Sequence, residues 1–158
     1  MRKIECQLCG KEYTRGGKLR LCTECATEEM VREARQVWNN CNWAEHCHLP
    51  ATLTLQQRLA TLDYFAWKCA YCQERPYEVL EHFIPMLLRD IDPQVYREVG
   101  GTTARNCIPA CHKCNACKGR VSPLYIWKIS DGIEQDLFPS LAMIERISRY
   151  LRVNLHKK

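Results

Sequence analysis

The sequence predicts a small α+β fold stapled by zinc, and three observations carry that prediction. Cysteines recur in C-x2-C pairs, Cys6/Cys9, Cys22/Cys25, Cys69/Cys72 and Cys111/Cys114, so eight of the twelve have a close partner. Helix-period apolar stripes alternate with short strand-like runs along the chain. With 158 residues the chain can hold one ordinary domain, or a small one with a metal-stabilised appendage.

An apolar fraction of 46% and a charged fraction of 26% belong to a globular protein in water. No apolar run reaches the roughly 18 residues of a membrane span, so no membrane partner is expected. Met1-Arg2-Lys3-Ile4-Glu5-Cys6 lacks the apolar run of a secretory signal. The expected location is therefore cytoplasmic, where paired cysteines bind metal in preference to forming disulfides. Tetrahedral zinc needs two such pairs.

Charge is uneven around the net +5. Residues 1–27, 104–120 and 145–158 are basic, whereas 28–99 is acidic. Concentrated positive charge of this kind suits a phosphate-bearing partner, although a pI near 8.6 is modest for one.

Residues 1–27 form a first module, with Cys6, Cys9, Cys22 and Cys25 in the pattern C-x2-C-x12-C-x2-C. Gly10 suits the turn after the first pair. Tyr13 to Arg20 reads as a basic hairpin turning at Gly16-Gly17. The module is a staple for a segment too small to fold alone, or a staple that also touches phosphates. Thr27-Glu28-Glu29 opens a helix with apolar residues at Val31, Ala34, Val37 and Trp38, ending around Asn39-Asn40. Cys41, His46, Cys47 and His48 imitate a third metal cluster, but adjacent ligands cannot readily converge on one tetrahedral ion. They read instead as a connector within a helical linker over 28–53.

Thr54-Leu55-Gln56-Gln57 resembles a capping box ahead of an apolar stripe at Leu55, Leu59, Leu62, Phe65 and Ala66, giving a helix over roughly 54–67. Trp67 should pack near the following zinc turn. A strand spans Tyr77 to Phe83, a long excursion runs from Met86 to Val99, and a return strand covers Arg105 to Ile108. A helix then begins near Cys114. Over 121–158, Pro139-Ser140 opens a covering helix with Leu141, Ile144, Ile147 and Leu151 inward and Arg146, Arg149 and Arg152 on a basic outer surface.

The second quartet is Cys69, Cys72, Cys111 and Cys114, in the pattern C-x2-C-x38-C-x2-C. Four thiolates leave no open position on zinc, so this ion is structural and pins both ends of the loop between the pairs. Cys117 competes for a place, but pairing Cys111 with Cys114 leaves Asn115 and Lys118 free beyond the zinc turn. Joined to it are Glu81-His82-Phe83-Ile84-Pro85, Gly100-Gly101-Thr102-Thr103 with Asn106, and Cys114-Asn115 followed by Lys118-Gly119.

In this order, the motifs resemble those of the HNH endonucleases, closely over roughly 54–120. The resemblance implies a ββα-metal, treble-clef-like core flanked by helices, with the zinc-ribbon-like module before it. It implies a single-metal phosphodiester hydrolase acting on DNA. His82 would be the general base, which suits a neutral imidazole. Glu81 and Asn115 would hold one Mg2+ or Mn2+, a hard ion that accepts carboxylate and amide oxygens. Asn106 would orient the His82 loop. Lys118 and Arg120 would neutralise phosphate, with Arg105 and Lys113 as further nucleic-acid contacts. The family more often has Asp at position 81 and His at 115. The expected cofactors are thus two structural zinc ions and one catalytic divalent ion, in a monomer, homodimer or larger assembly. The alternative is a non-catalytic zinc-finger module binding nucleic acid on the same scaffold. A zinc hydrolase or deaminase fits poorly, because no His-x-Glu segment joins the pairs.

Overall fold

The first C-x2-C pair lies inside a miniature hairpin, β1 (Ile4–Glu5) antiparallel to β2 (Glu12–Tyr13). Curling two thiols toward one point brings the flanking residues side by side. The Cys6 N–H donates to Lys11 O at 3.0 Å, and the Gly10 N–H to Cys6 O at 2.9 Å. Gly10 takes φ +73°, the left-handed conformation such a turn requires. The strand pair therefore encloses the first cysteine pair, and the turn expected at Gly16-Gly17 is only partly covered by the described residues. The computed structural model describes residues 3–14, 17–86, 99–123, 126 and 138–153, so Gly16 and the excursion over 87–98 lie outside the described residues.

Helix α1 (Glu28–His46) starts at Thr27, whose hydroxyl accepts the Met30 N–H. It continues past Asn39-Asn40, where the sequence reading ended it. Asn40 is accommodated by donating its side-chain amide to Gln36 O at 2.8 Å. Ala34, Val37, Cys41 and Ala44 extend one buried or half-buried face at three- and four-residue spacing. Cys41 is thus a helical core residue and Cys47 the C-cap, not parts of a connector. Among the described residues, neither they nor His46 and His48 join a metal-binding group.

Helix α2 (Leu55–Tyr64) has the full capping box, with Thr54 and Gln57 exchanging side-chain and backbone bonds. It ends before the expected Trp67 because Ala66 and Trp67 take φ +50° and +58°, turning the chain toward the zinc loop. Leu55, Leu62 and Phe65 are buried as expected, whereas Ala66 is exposed. Trp67 packs edge-on against Tyr77 at the base of that loop.

The two helices are locked together by charges that no apolar stripe reveals. Glu33 is fully buried and accepts from Arg58 Nε at 3.1 Å, Arg32 Nε at 3.1 Å and Tyr77 Oη. Burial and the bond to Glu33 push the Tyr77 phenol up to about 12. This network fixes the helix pair to the start of the next strand.

β3 (Val79–His82) pairs antiparallel with β4 (Cys107–Ala110), placing Glu81 opposite Ile108 and His82 opposite Cys107. Its outer edge is covered by α1, where Gln36 Oε1 accepts the Leu80 N–H at 2.8 Å. Helix α3 (His112–Lys118) follows β4 directly, and α4 (Leu141–Leu151) covers the ribbon. Phe83, Ile84, Ile108, Ile144 and Ile147 share one core with Cys69, Cys111 and Cys114. α4 buries Ile144, Ile147 and Leu151, but Leu141 in its first turn remains exposed. Arg146 is not on the outer surface: its guanidinium donates to Ala70 O and Tyr71 O, bracing the zinc loop. Among the described residues the architecture is a small α+β fold with four helices and two two-stranded antiparallel sheets. Among the described residues, no helix is long and apolar enough to cross a membrane.

Candidate functional site

Two cysteine quartets gather exactly the residues that the spacing selects. In each of Cys6/Cys9/Cys22/Cys25 and Cys69/Cys72/Cys111/Cys114 the ligand atoms lie within 4.8 Å of one another. Zn–S bonds of about 2.3 Å in a tetrahedron put sulfurs about 3.8 Å apart. The Cys9 and Cys22 sulfurs are 3.7 Å apart. Both donor sets therefore fit structural zinc. Cys117 is exposed and stands outside the second quartet.

That quartet joins the loop before β3 to the β4–α3 junction, where Cys111 is also the N-cap of α3. The Ala70 N–H bonds to Pro109 O at 2.8 Å, and Glu78 accepts the His112 N–H at 2.8 Å. The ribbon and α3 are thereby fixed around Glu81, His82 and Lys118.

His82 closes β3 and is half-buried. Its Nε2 is 3.0 Å from Thr102 Oγ1, and the Thr102 hydroxyl donates to Asn40 O at 2.9 Å. With the one hydroxyl proton on Asn40 O, the imidazole Nε2–H donates to Thr102 and the lone pair falls on Nδ1. Burial, with the Lys118 charge, pulls the His82 pKa down to about 4.

Thr102 is itself immobilised. Its N–H donates to Pro50 O at 2.8 Å, and its carbonyl accepts both the Thr52 and Leu53 N–H groups at 3.0 Å. Gly101 precedes it at φ +74°, where a Cβ would stand 2.3 Å from Pro50 O. Only glycine permits this approach. The connector after α1 thus helps orient the histidine, a contribution absent from the sequence reading. Its one visible trace was the glycine pair before Thr102.

Asn106 is fully buried and ties off the turn after His82. Its Oδ1 accepts the Ile84 N–H at 2.7 Å, while Nδ2 donates to Ile84 O at 3.0 Å and Gly101 O at 2.8 Å. It spans the His82 and Thr102 loops in one residue. Asn106→Ala leaves those backbone groups unpaired, at roughly 1–3 kcal/mol for a group left without a partner. The expected result is a stability loss of about 3 kcal/mol in urea unfolding. Asn106→Asp should not rescue it, since a carboxylate would face two carbonyl oxygens.

Lys118 is 1% exposed and Glu81 7%. The Lys118 ammonium donates to Glu81 Oε1 at 2.5 Å and to His82 O at 3.0 Å. Lys118 is therefore held inside the site, and not turned to solvent as a surface phosphate contact would be. Burial raises the Glu81 pKa and lowers that of Lys118, each opposed by the partner's charge. Asn115 is half-buried in α3, on the same helix as Lys118. An open cleft is lined by Glu81, His82, Pro85, Met86, Lys118, Gly119, Arg120 and Trp43 of α1. Arg120 is exposed at this cleft, and Lys113 is exposed on α3. The Arg105 guanidinium is engaged with Arg152 O at 2.9 Å.

Compared with protein-family models, curated proteins and solved structures, the chain matches none.

Proposed function

We propose that the protein is a metal-dependent DNA endonuclease of the HNH type, hydrolysing phosphodiester bonds with His82 as general base. The observation that carries this reading is the hydrogen-bond chain from Asn40 O through Thr102 to His82 Nε2. It leaves Nδ1 as the basic atom of a histidine that lines an open cleft. The same cleft holds the exposed Arg120 and the Glu81–Lys118 pair beside this imidazole. Support also comes from the succession β3, β4, α3 closed by a cysteine quartet.

In this reading a water molecule gives its proton to His82 Nδ1 as it attacks the phosphorus of a bound diester. Asn106 holds the loop beneath His82 so that the nitrogen does not wander, and Thr102 prevents ring flipping. Arg120 meets the phosphate at the cleft rim. The 3′ oxygen leaves with the electrons of the broken P–O bond and takes a proton from solvent, giving 5′-phosphate and 3′-hydroxyl ends.

A divalent cation, when bound, supplies charge neutralisation at the phosphate and the departing oxygen. Glu81 and Asn115 would hold it, and their oxygen donors suit Mg2+ or Mn2+ better than a soft metal. Binding there requires Glu81 to exchange the Lys118 ammonium for the metal. That pairing favours a second reading, a nucleic-acid-binding zinc module without catalysis, in which Lys118 keeps Glu81 permanently neutralised. Plasmid cleavage assayed with and without magnesium or manganese decides between them.

The pH profile offers another check. A histidine whose pKa is pulled below its usual value stays unprotonated, hence competent as a base, further into acid. The acidic limb of kcat/KM should therefore lie below pH 6, with no loss between pH 8 and pH 6. The same depression means that the unfolded chain binds a proton below its ordinary pKa of about 6.5 while the folded one does not. This contribution to stability falls as pH drops from about 6.5 toward about 4.

A further inference from the structure

Trp43 is an aromatic residue lining the cleft that the nuclease reading does not use. It lies on α1, outside the segments carrying the motifs, and its side chain is 48% exposed beside His82, Lys118 and Arg120. Three other partly exposed aromatic rings among the described residues have partners. Trp38 lies beneath the Lys18 ammonium, Trp67 donates to Asp63 and meets Tyr77, and Tyr64 stacks on Tyr150 with centroids 4.1 Å apart. Among the described residues, Trp43 has neither a ring partner nor a hydrogen bond from its indole nitrogen.

A half-exposed indole at the wall of a cleft that also carries the exposed Arg120 is a stacking platform. We propose that Trp43 stacks on an unpaired base next to the scissile phosphate, which makes single-stranded or locally unpaired DNA the preferred substrate. The inference rests on the nucleic-acid reading of this cleft. Its physical basis is that bases inside a duplex already stack on both faces and offer none to an indole. A base freed from its neighbours does. The ring lies in the same cleft as His82 and the exposed Arg120, so a strand whose phosphate meets Arg120 brings an adjacent base toward Trp43. Arg120 supplies the charge complementarity, while a ring platform adds affinity without selecting among the four bases.

The test is binding of zinc-loaded full-length protein to labelled oligonucleotides without added magnesium or manganese, so that no cleavage occurs. The probes are one single strand, its duplex, and the same single strand carrying one abasic position, moved stepwise along its length. The expected result is tighter binding of the single strand than of the duplex. Trp43→Ala should weaken single-strand binding by about 5- to 150-fold, with duplex binding changed little. Trp43→Phe should retain most of it. One abasic position should weaken wild type, but not Trp43→Ala.

Equal single-strand affinity for wild type and Trp43→Ala overturns the proposal. So does an equal loss on single strand and duplex, which would make Trp43 a general contact or a duplex wedge. The outcome is separable from that of the nuclease reading. Trp43-dependent single-strand binding without any cleavage supports the platform and rejects catalysis. Cleavage with no effect of Trp43 does the reverse.

Discussion

His82→Ala is expected to lower plasmid cleavage by about 10²- to 10⁴-fold, the range for losing a positioned general base, with zinc content and fold retained. The fold survives because the imidazole makes one side-chain hydrogen bond, to Thr102, and sits half-buried at the end of β3. Losing such a bond costs on the order of 1 kcal/mol, small beside a domain's stability. The measurement is rate of supercoil loss with magnesium or manganese, paired with elemental analysis and circular dichroism. Undiminished cleavage by well-folded His82→Ala protein would falsify the catalytic assignment. A rate lost in His82→Ala together with unaltered single-strand binding would place the defect in chemistry.

Zinc removal has the second large effect, and the two quartets should respond differently. Cys69, Cys111 and Cys114 belong to the main hydrophobic core, alongside Phe83, Ile84 and Ile108. The N-terminal cysteines are absent from both buried apolar clusters. Structural zinc contributes on the order of 10 kcal/mol to folding in small sites, comparable with the whole stability of a domain. Cys111→Ser should therefore collapse the ribbon and abolish cleavage. Cys22→Ser should lose one zinc and loosen residues 3–25, leaving the second zinc and the unfolding of the main core in place. Wild type is expected to hold about two zinc ions. Retained cleavage in Cys111→Ser protein lacking its second zinc contradicts this, as does collapse of the whole chain in Cys22→Ser.

Local chemistry made much of the scaffold legible. The quartets follow from spacing, since C-x2-C can present two sulfurs to one ion from a single turn. The starts of α1 and α2 were marked by Thr27 and Thr54, because a cap is a contact between residues three apart. The ends of the same helices were less visible. Asn40 resembles a helix terminator until its amide finds Gln36 O, and α2 stops where Ala66 and Trp67 adopt positive φ values that their side chains do not advertise.

The long-range polar contacts were hidden for a related reason. Glu33 and Arg58 carry no sequence signal of their own, and only the packing of α1 on α2 brings them together in the interior. Arg146 belongs to a helix that looked basic on its outer face, yet it reaches back to Ala70 and Tyr71. Asn106 was singled out in the sequence as an orienting residue. The structure supplies its three partners, two on the His82 loop and one on the Thr102 loop.

By itself, the sequence determined which cysteines form each metal group, the capped helix starts and the pairing of two strands around His82. These depend on spacing, turn chemistry and periodicity, which are properties of neighbouring residues. Only the tertiary structure decided that Lys118 is buried against Glu81, that Thr102 links His82 to Asn40, and that Trp43 shares the cleft. Each joins segments far apart in the chain, and such a contact exists only once the intervening elements have packed. The histidine was visible as a residue type; its link through Thr102 to a backbone carbonyl of α1 was not.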